Sequence, residues 1–354
     1  MKALVPAGGA GTRLRPITHT SAKQLVPVAN KPILEYGLES IAGAGITDVG
    51  IIVGETHEQI RACVGDGSQL GIDVTYIHQP VPLGLAHCVL LAADYLEDSD
   101  FVMYLGDNVL TGGIRRFVRQ FEERHPAAAI LLAKVRDPER YGVAELDAEG
   151  HVVRLVEKPK QPRSDLALVG VYLFSARILD AVRSISPSAR GELEITDAIQ
   201  WLIDRGERVS SQIIDGWWKD TGKRYDLLEA NRTVLDALES RIAGSVDAAS
   251  EIVGRVVIEE GAALVSSVVR GPAVIGARTR LVNTFVGPYT AIAADCVVEN
   301  SEIEHSVVLE RVTIRDMRRI EDSLVGKEVE VGLSERKPRA YRLMLGDHSH
   351  VQLP

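Results

Sequence analysis

Apolar positions follow two rhythms along this chain, and the change comes near residue 244. In the first part, short β-branched and aliphatic runs at Ala3–Val5, Val49–Val53, Val74–Ile77, Phe101–Leu105, Ala129–Val135 and Leu166–Phe174 read as strands separated by helical spacing. Leu34, Leu38 and Ile41 stand at i, i+4 and i+7 behind Pro32, which suits the opening of a helix. Strands alternating with helices predict an α/β domain with a mostly parallel sheet over residues 1–223. Tyr225, Leu228, Leu235, Leu238 and Ile242 then keep helical spacing, so residues 224–244 read as a linker helix ended by Gly244.

Beyond it the rhythm shortens. Ile252, Ile258, Leu264, Val269, Ile275, Leu281, Val286, Ile292, Val298, Ile303, Val308, Ile314, Ile320, Val325 and Val331 are fifteen aliphatic positions at steps of five or six residues. Three steps make one coil of a parallel β-helix of triangular section, so residues 245–332 predict about five coils around a dry axis. Gly254, Gly261, Gly271, Gly276, Gly287 and Gly326 fall beside these positions, where corners need tight or positive-φ backbone. The tail, residues 333–354, carries Arg336, Lys337, Arg339, Arg342, His348 and His350 and has no such pattern.

Composition narrows the possibilities. With 354 residues, a net charge of −9 and a pI near 5.6, the chain lacks the basic footprint of a nucleic-acid binder. An anionic ligand must therefore be met by local charge. Cys63, Cys88 and Cys296 are widely spaced, which indicates neither a disulfide framework nor a zinc site. No apolar stretch approaches the ~20 residues of a membrane span, and the first apolar run is broken at Pro6 and Gly8. A cytoplasmic protein is expected, with no membrane partner.

The chemistry gathers around Leu4–Pro32. Gly8, Gly9 and Gly11 lack a Cβ and let backbone N–H groups close on an anion, while Thr12, Arg13 and Lys23 follow with a hydroxyl and two cations suited to a triphosphate. The spacing is neither a P-loop nor a dinucleotide fingerprint. Asp107, just past the strand Phe101–Leu105, and Asp220 in the run Trp217–Gly222 are candidate carboxylates for Mg²⁺. Glu157 and Lys158 close another strand, placing a carboxylate for hydroxyls beside a cation for a phosphate.

GGAGTRLRP together with KQLVPVANKP resembles the opening of the sugar-1-phosphate nucleotidylyltransferases, and within them the glucose-1-phosphate thymidylyltransferases. Pro6 and Ala7 depart from that family's pattern, and strand one is expected to end at Pro6. The resemblance implies a Rossmann-like nucleotidyltransferase domain and a left-handed type of β-helix. It also implies that His78–Ala86, with Gln79 and Gly84, reads the base, and that Gln24 lies on the triphosphate or deoxyribose side. Tyr141, Gly142, Gly170 and Tyr172 resemble the walls of a sugar pocket, and Glu192, in Gly191–Asp197, a sugar contact. The implied substrates are dTTP and glucose 1-phosphate, with Mg²⁺ as cofactor and a homo-oligomer, tetramer or trimer, as the assembly. The attacking phosphate oxygen is already anionic, so no general base is required. Two rivals stand beside this expectation: a uridylyltransferase for the same sugar, against which Gln24 argues, and a bifunctional enzyme whose β-helix transfers acyl groups. The second would need a catalytic histidine among the coils, where His305 is the sole histidine.

Overall fold

A computed structural model describes residues 1–9, 11–214, 216–333, 343 and 345–352. The basic residues of the tail, Arg336, Lys337, Arg339 and Arg342, lie outside them, whereas His348 and His350 are described. The chain divides into two compact units: Met1–Ala10, Ala22–Leu25 and Ile33–Asp220 form one, and Gly11–Ser21, Val26–Pro32 and Thr221–Pro354 the other.

The first unit is built on a nine-stranded sheet. Its elements are β1 (Lys2–Pro6), α1 (Ile33–Gly43), β2 (Asp48–Val53), α2 (His57–Val64), β3 (Asp73–His78), α3 (Leu85–Leu91), β4 (Phe101–Tyr104), β5 (Asn108–Leu110), α4 (Arg115–Arg124), β6 (Ala128–Lys134), β7 (Gly142–Leu146), β8 (Val152–Glu157), β9 (Leu166–Phe174), α5 (Arg177–Ser184), α6 (Ile195–Asp204), β10 (Val209–Ile213) and β11 (Trp218–Asp220). Strand one ends at Pro6, as expected from a residue that cannot donate to a ladder. Successive side chains point to opposite faces. Leu4, Ile52 and Met103 therefore enter one core, and Ala3, Val5, Ile51, Val102 and Tyr104 the other, where Leu34, Leu38 and Ile41 of α1 cover them.

Strands β3, β2, β1 and β4 run parallel, as do β6 and β10. The mostly parallel expectation is refined around β9, which pairs antiparallel with β4, β6 and β7. The register between β9 and β6 shifts between Leu168 and Tyr172, so β9 serves two neighbours along one edge, β7 near its start and β4 near its end.

In the second unit, parallel pairing stacks the chain into three sheets of six, six and four strands. Ile258, Ile275, Ile292, Val308 and Val325 lie in register in one, Leu264, Leu281, Val298, Ile314 and Val331 in the second, and Ile252, Val269, Val286 and Ile303 in the third, extended by a bridge to Ile320. All fifteen predicted axis positions find their place. The result is a parallel β-helix, consistent with the left-handed type.

Two details correct the expectation from sequence. The helix α7 spans Arg224–Asp236 and stops short of Ala243, because Arg241–Ile242 pairs with Val257–Ile258 as the first rung of the β-helix. Ladder pairing overrides helical spacing there, and the coils start four residues before the expected residue 245. Among the six corner glycines named above, only Gly254 and Gly261 have positive φ. Gly276 meets a different need, since a Cβ there would lie 2.4 Å from the Ala293 carbonyl carbon. Most left-handed corners are instead polar residues stacked on one another. Arg278 pairs with Asp295 and Arg311 with Glu328, while Asn283 donates to Asn300 and Asn300 to Asp316, each at 3.0 Å.

The outer face of the first of these sheets is apolar and covered within the same unit. Leu235 of α7 packs on Val257, Val274 and Ala291, and Leu228 packs with Ile17 on Val307 and Leu309. Asn231 receives the Ala29 N–H at 2.8 Å and donates to the Tyr289 carbonyl at 3.0 Å. His305 sits at a corner with its Nδ1 on Asp322 and its ring edge against Tyr289.

Candidate active site

The first unit's site is assembled where β1 and β4 end, the edge at which parallel strands present ligand sites. Gly106 donates to the Pro6 carbonyl at 3.1 Å, which holds the turn after β4 against the turn after β1. A Cβ on Gly106 would come 3.0 Å from Leu34, so the chain can make this turn only with glycine or with movement of that neighbour. Asp107 then projects toward Lys23, which rides on a short 3₁₀ turn, Lys23–Leu25, and is 7% exposed. Opposite, β11 pairs antiparallel with β5 and sets Asp220 across from Asn108, with Asp220 Oδ1 3.6 Å from Lys23 Nζ.

One ammonium thus sits between two carboxylates. Burial opposes ionisation of Asp107, but Lys23 and the Asn108 amide, 2.9 Å from Asp107 Oδ1, hold its carboxyl below the usual range. Trp218 Nε1 donates to Asn108 Oδ1 at 2.5 Å and so fixes the way that amide faces. Two carboxylates, Asp220 on β11 and Asp107 in the turn just before β5, are the donor set a hard divalent cation takes when phosphate oxygens complete its shell.

Two of the residues expected on the nucleotide side, Gln79 and Gln24, lie beside Gly8 and Gly9. A Cβ on Gly8 would lie 3.4 Å from Gln79 Oε1, and one on Gly9 would lie 3.6 Å from Gln24 Nε2. Gln24 and Gln79 are buried, and Gln24 Oε1 has no hydrogen-bond partner among the described residues, an orphan acceptor at the mouth of a glycine turn. Gly84 answers a different approach from the one expected. At φ +104° a Cβ would meet the Leu193 carbonyl oxygen at 2.4 Å, so its missing side chain admits the Leu193 backbone. Gly11, Thr12 and Arg13 belong to the other unit, where Thr12–Leu14 forms a 3₁₀ turn, Thr18 Oγ1 donates to the Gly11 carbonyl at 2.7 Å and Arg13 is exposed.

Among the residues expected on the sugar side, Glu157, Lys158 and Glu192 belong to a second charged cluster. Strand β8 pairs with β7 so that Glu157 faces Gly142, and a Cβ on Gly142 would come 2.7 Å from Thr196. Glu157 Oε1 lies 3.2 Å from Lys158 Nζ and 3.3 Å from Arg190 Nη1, and Arg190 reaches Glu192 at 2.8 Å and Glu194 at 3.5 Å. Lys158 has positive φ and donates its backbone N–H to the Tyr141 carbonyl at 3.0 Å. Burial pushes the Glu194 carboxyl upward, with Glu157 adding to the rise. Gly170 leaves room for Leu105 and Asn108, and the buried Tyr172 joins the two clusters. Burial, then the charges of Glu157 and Asp107, hold its phenol protonated far above the usual range. Tyr141 and Trp218 meet edge to face with ring centres 5.5 Å apart.

Arg190, Asn108 and Trp218 escaped the sequence reading. Arg190 stands directly before Gly191-Glu192, where an arginine among glutamates reads as a solvated pair; Asn108 and Trp218 adjoin the two aspartates in sequence.

A model of the nucleotidyl transferase family matches residues 2–237. The chain belongs to the nucleotidyl transferase family. It is similar to glucose-1-phosphate thymidylyltransferases of Streptomyces griseus, 59% identical over 353 residues, and Streptomyces antibioticus, 58% over 354, each alignment covering all of this chain and 99% of the relative. It is also similar to a solved protein of Bacillus anthracis, assigned as a glucose-1-phosphate thymidylyltransferase and crystallised with sucrose. That likeness has a TM-score of 0.62 at 37% identity and covers 65% of this chain and 94% of the other. Among the described residues of this nucleotidyl transferase, no helix is long and apolar enough to cross a membrane.

Proposed function

We propose that this nucleotidyl transferase moves a thymidylyl group from dTTP to α-D-glucose 1-phosphate, giving dTDP-glucose and pyrophosphate, as the first step toward dTDP-deoxysugars. The observation that carries this reading is the presence of two charged clusters in the first unit. Lys23 between Asp107 and Asp220 suits a triphosphate, while Lys158 and Arg190 around Glu157 suit a sugar phosphate. The names of the full-length Streptomyces relatives support the choice of base and sugar.

Gly8 and Gly9 offer backbone N–H groups to the phosphates, and Lys23 supplies a cation. Gln79 reads the base edge beside Gly84, and Gln24 meets the deoxyribose or triphosphate side. Lys158 and Arg190 hold the attacking phosphate, Glu157 and Glu192 take sugar hydroxyls, and Tyr141, Gly142, Gly170 and Tyr172 wall the pocket. Asp107 and Asp220 would hold Mg²⁺, which when bound would supply neutralisation of phosphoryl charge. The sugar phosphate oxygen forms the new P–O bond as the bond to pyrophosphate breaks, so positioning and charge carry the rate and no protein nucleophile takes part. The enzyme works in the cytoplasm as a homo-oligomer, a trimer or a tetramer.

The test is pyrophosphate release with Mg²⁺, crossing dTTP, UTP, CTP, ATP and GTP with glucose, galactose and glucosamine 1-phosphates. The highest kcat/KM for dTTP with glucose 1-phosphate is expected. A tenfold lead for UTP, a difference of about 1.4 kcal/mol, would overturn the thymidylyl assignment and leave the two clusters standing.

A further inference from the structure

Gln79 follows β3 and is held from both ends. Its backbone N–H donates to Val53 at 2.8 Å, and its side chain, 6% exposed, is pinned by α3. Gln79 Nε2 lies 3.1 Å from His87 Nδ1 and 3.4 Å from Cys88 Sγ, while its Oε1 looks toward Gly8. An amide can turn either way, so its neighbours decide which end faces the site.

Both neighbours here accept. The Cys88 thiol points its proton at the Gly84 carbonyl, 3.6 Å away, and burial pushes that thiol up to about 12, so its sulfur is left with lone pairs for the amide. Burial also holds the His87 imidazole below its usual value, so the ring is neutral at pH 7 and its Nδ1 accepts when the proton rests on Nε2. The amide NH₂ therefore turns to α3, and the carbonyl oxygen is left for the ligand.

We propose that His87 is a specificity-determining positioning residue: by accepting from Gln79 Nε2 it aims the Gln79 carbonyl oxygen at the base, which selects pyrimidines that carry N3–H and disfavours cytosine. The inference rests on Gln79 meeting the base. Thymine and uracil both donate N3–H to such an oxygen. Cytosine presents a bare N3 lone pair, which the oxygen repels. Because thymine and uracil are alike at this edge, His87 does not separate them, and the choice between dTTP and UTP lies in other contacts.

Four variants of the full chain test this by kcat/KM with dTTP, UTP and CTP. His87→Lys puts a permanent donor beside the amide and turns it over, so the dTTP:CTP ratio falls at least tenfold while the dTTP:UTP ratio and the KM for glucose 1-phosphate stay put. His87→Leu lowers the ratio less, and His87→Gln, which again offers an acceptor, keeps it. In ¹⁵N-histidine spectra, the resonance lost in His87→Gln belongs to a ring protonated at Nε2. An unchanged dTTP:CTP ratio in His87→Lys, an equal loss for UTP, or a ring protonated at Nδ1 would overturn the proposal. Gln79→Leu keeps the two failures apart: if it alone changes the ratio, His87 is not the positioning residue, and if it changes nothing, the base contact itself is wrong.

Discussion

The two units of this protein use charge in opposite ways. In the first, Lys23 is nearly enclosed and faces two carboxylates, an arrangement whose desolvation cost makes it a weak source of stability and a strong marker of chemistry. In the β-helix, Arg278 with Asp295 and Arg311 with Glu328 lie along exposed corners, where solvent screens them. Stability there comes from the axis: Ile258, Val269, Ile275, Leu281, Val286, Ile292, Val298, Ile303, Val308 and Ile314 are fully buried. Charge in the catalytic unit is expected to matter for rate, and aliphatic packing in the coils for stability.

The largest effect expected from that contrast is in the catalytic unit. Asp107→Asn should lower kcat about a thousandfold, roughly 4 kcal/mol of transition-state stabilisation, and near-normal pyrophosphate release at saturating Mg²⁺ would deny Asp107 its role. Ile292→Ala in the axis should cost about 3 kcal/mol of stability, read from the urea midpoint, with kcat per folded molecule unchanged. Arg190→Ala and Lys158→Ala should each raise the KM for glucose 1-phosphate at least tenfold, roughly 1.4 kcal/mol, and barely move that for dTTP. Equal shifts in both would remove the division of the site into two halves. The smallest effect belongs to Arg311→Ala, whose exposed pair with Glu328 should leave the thermal midpoint unresolvably close to wild type.

How legible each region was in the sequence follows from the same contrast. A dry axis demands an aliphatic side chain at every rung, so a period of five or six residues carried the register of all three sheets. Corner identities were not legible, because stacked Arg–Asp and Asn–Asn pairs join residues sixteen or seventeen positions apart and each reads singly as surface. The end of α7 was hidden for a related reason, since Leu238 and Ile242 keep helical spacing yet Ile242 pairs as a strand. In the catalytic unit the glycine turn, Lys23 and Asp107 were legible because few structural roles need that combination. Their contact spans 84 residues and no local pattern encodes it. Arg190 was missed because only the fold turns it toward Glu157.

In the proposed reaction the sugar phosphate, held by the Lys158 cluster, attacks directly the nucleotide held by the Lys23 cluster. Exchange of labelled pyrophosphate into dTTP, measured with Mg²⁺ but without sugar phosphate, tests it most directly. Direct transfer predicts no exchange until glucose 1-phosphate is added. Exchange in its absence would mean that a protein group accepts the thymidylyl unit first, and would rule out direct transfer.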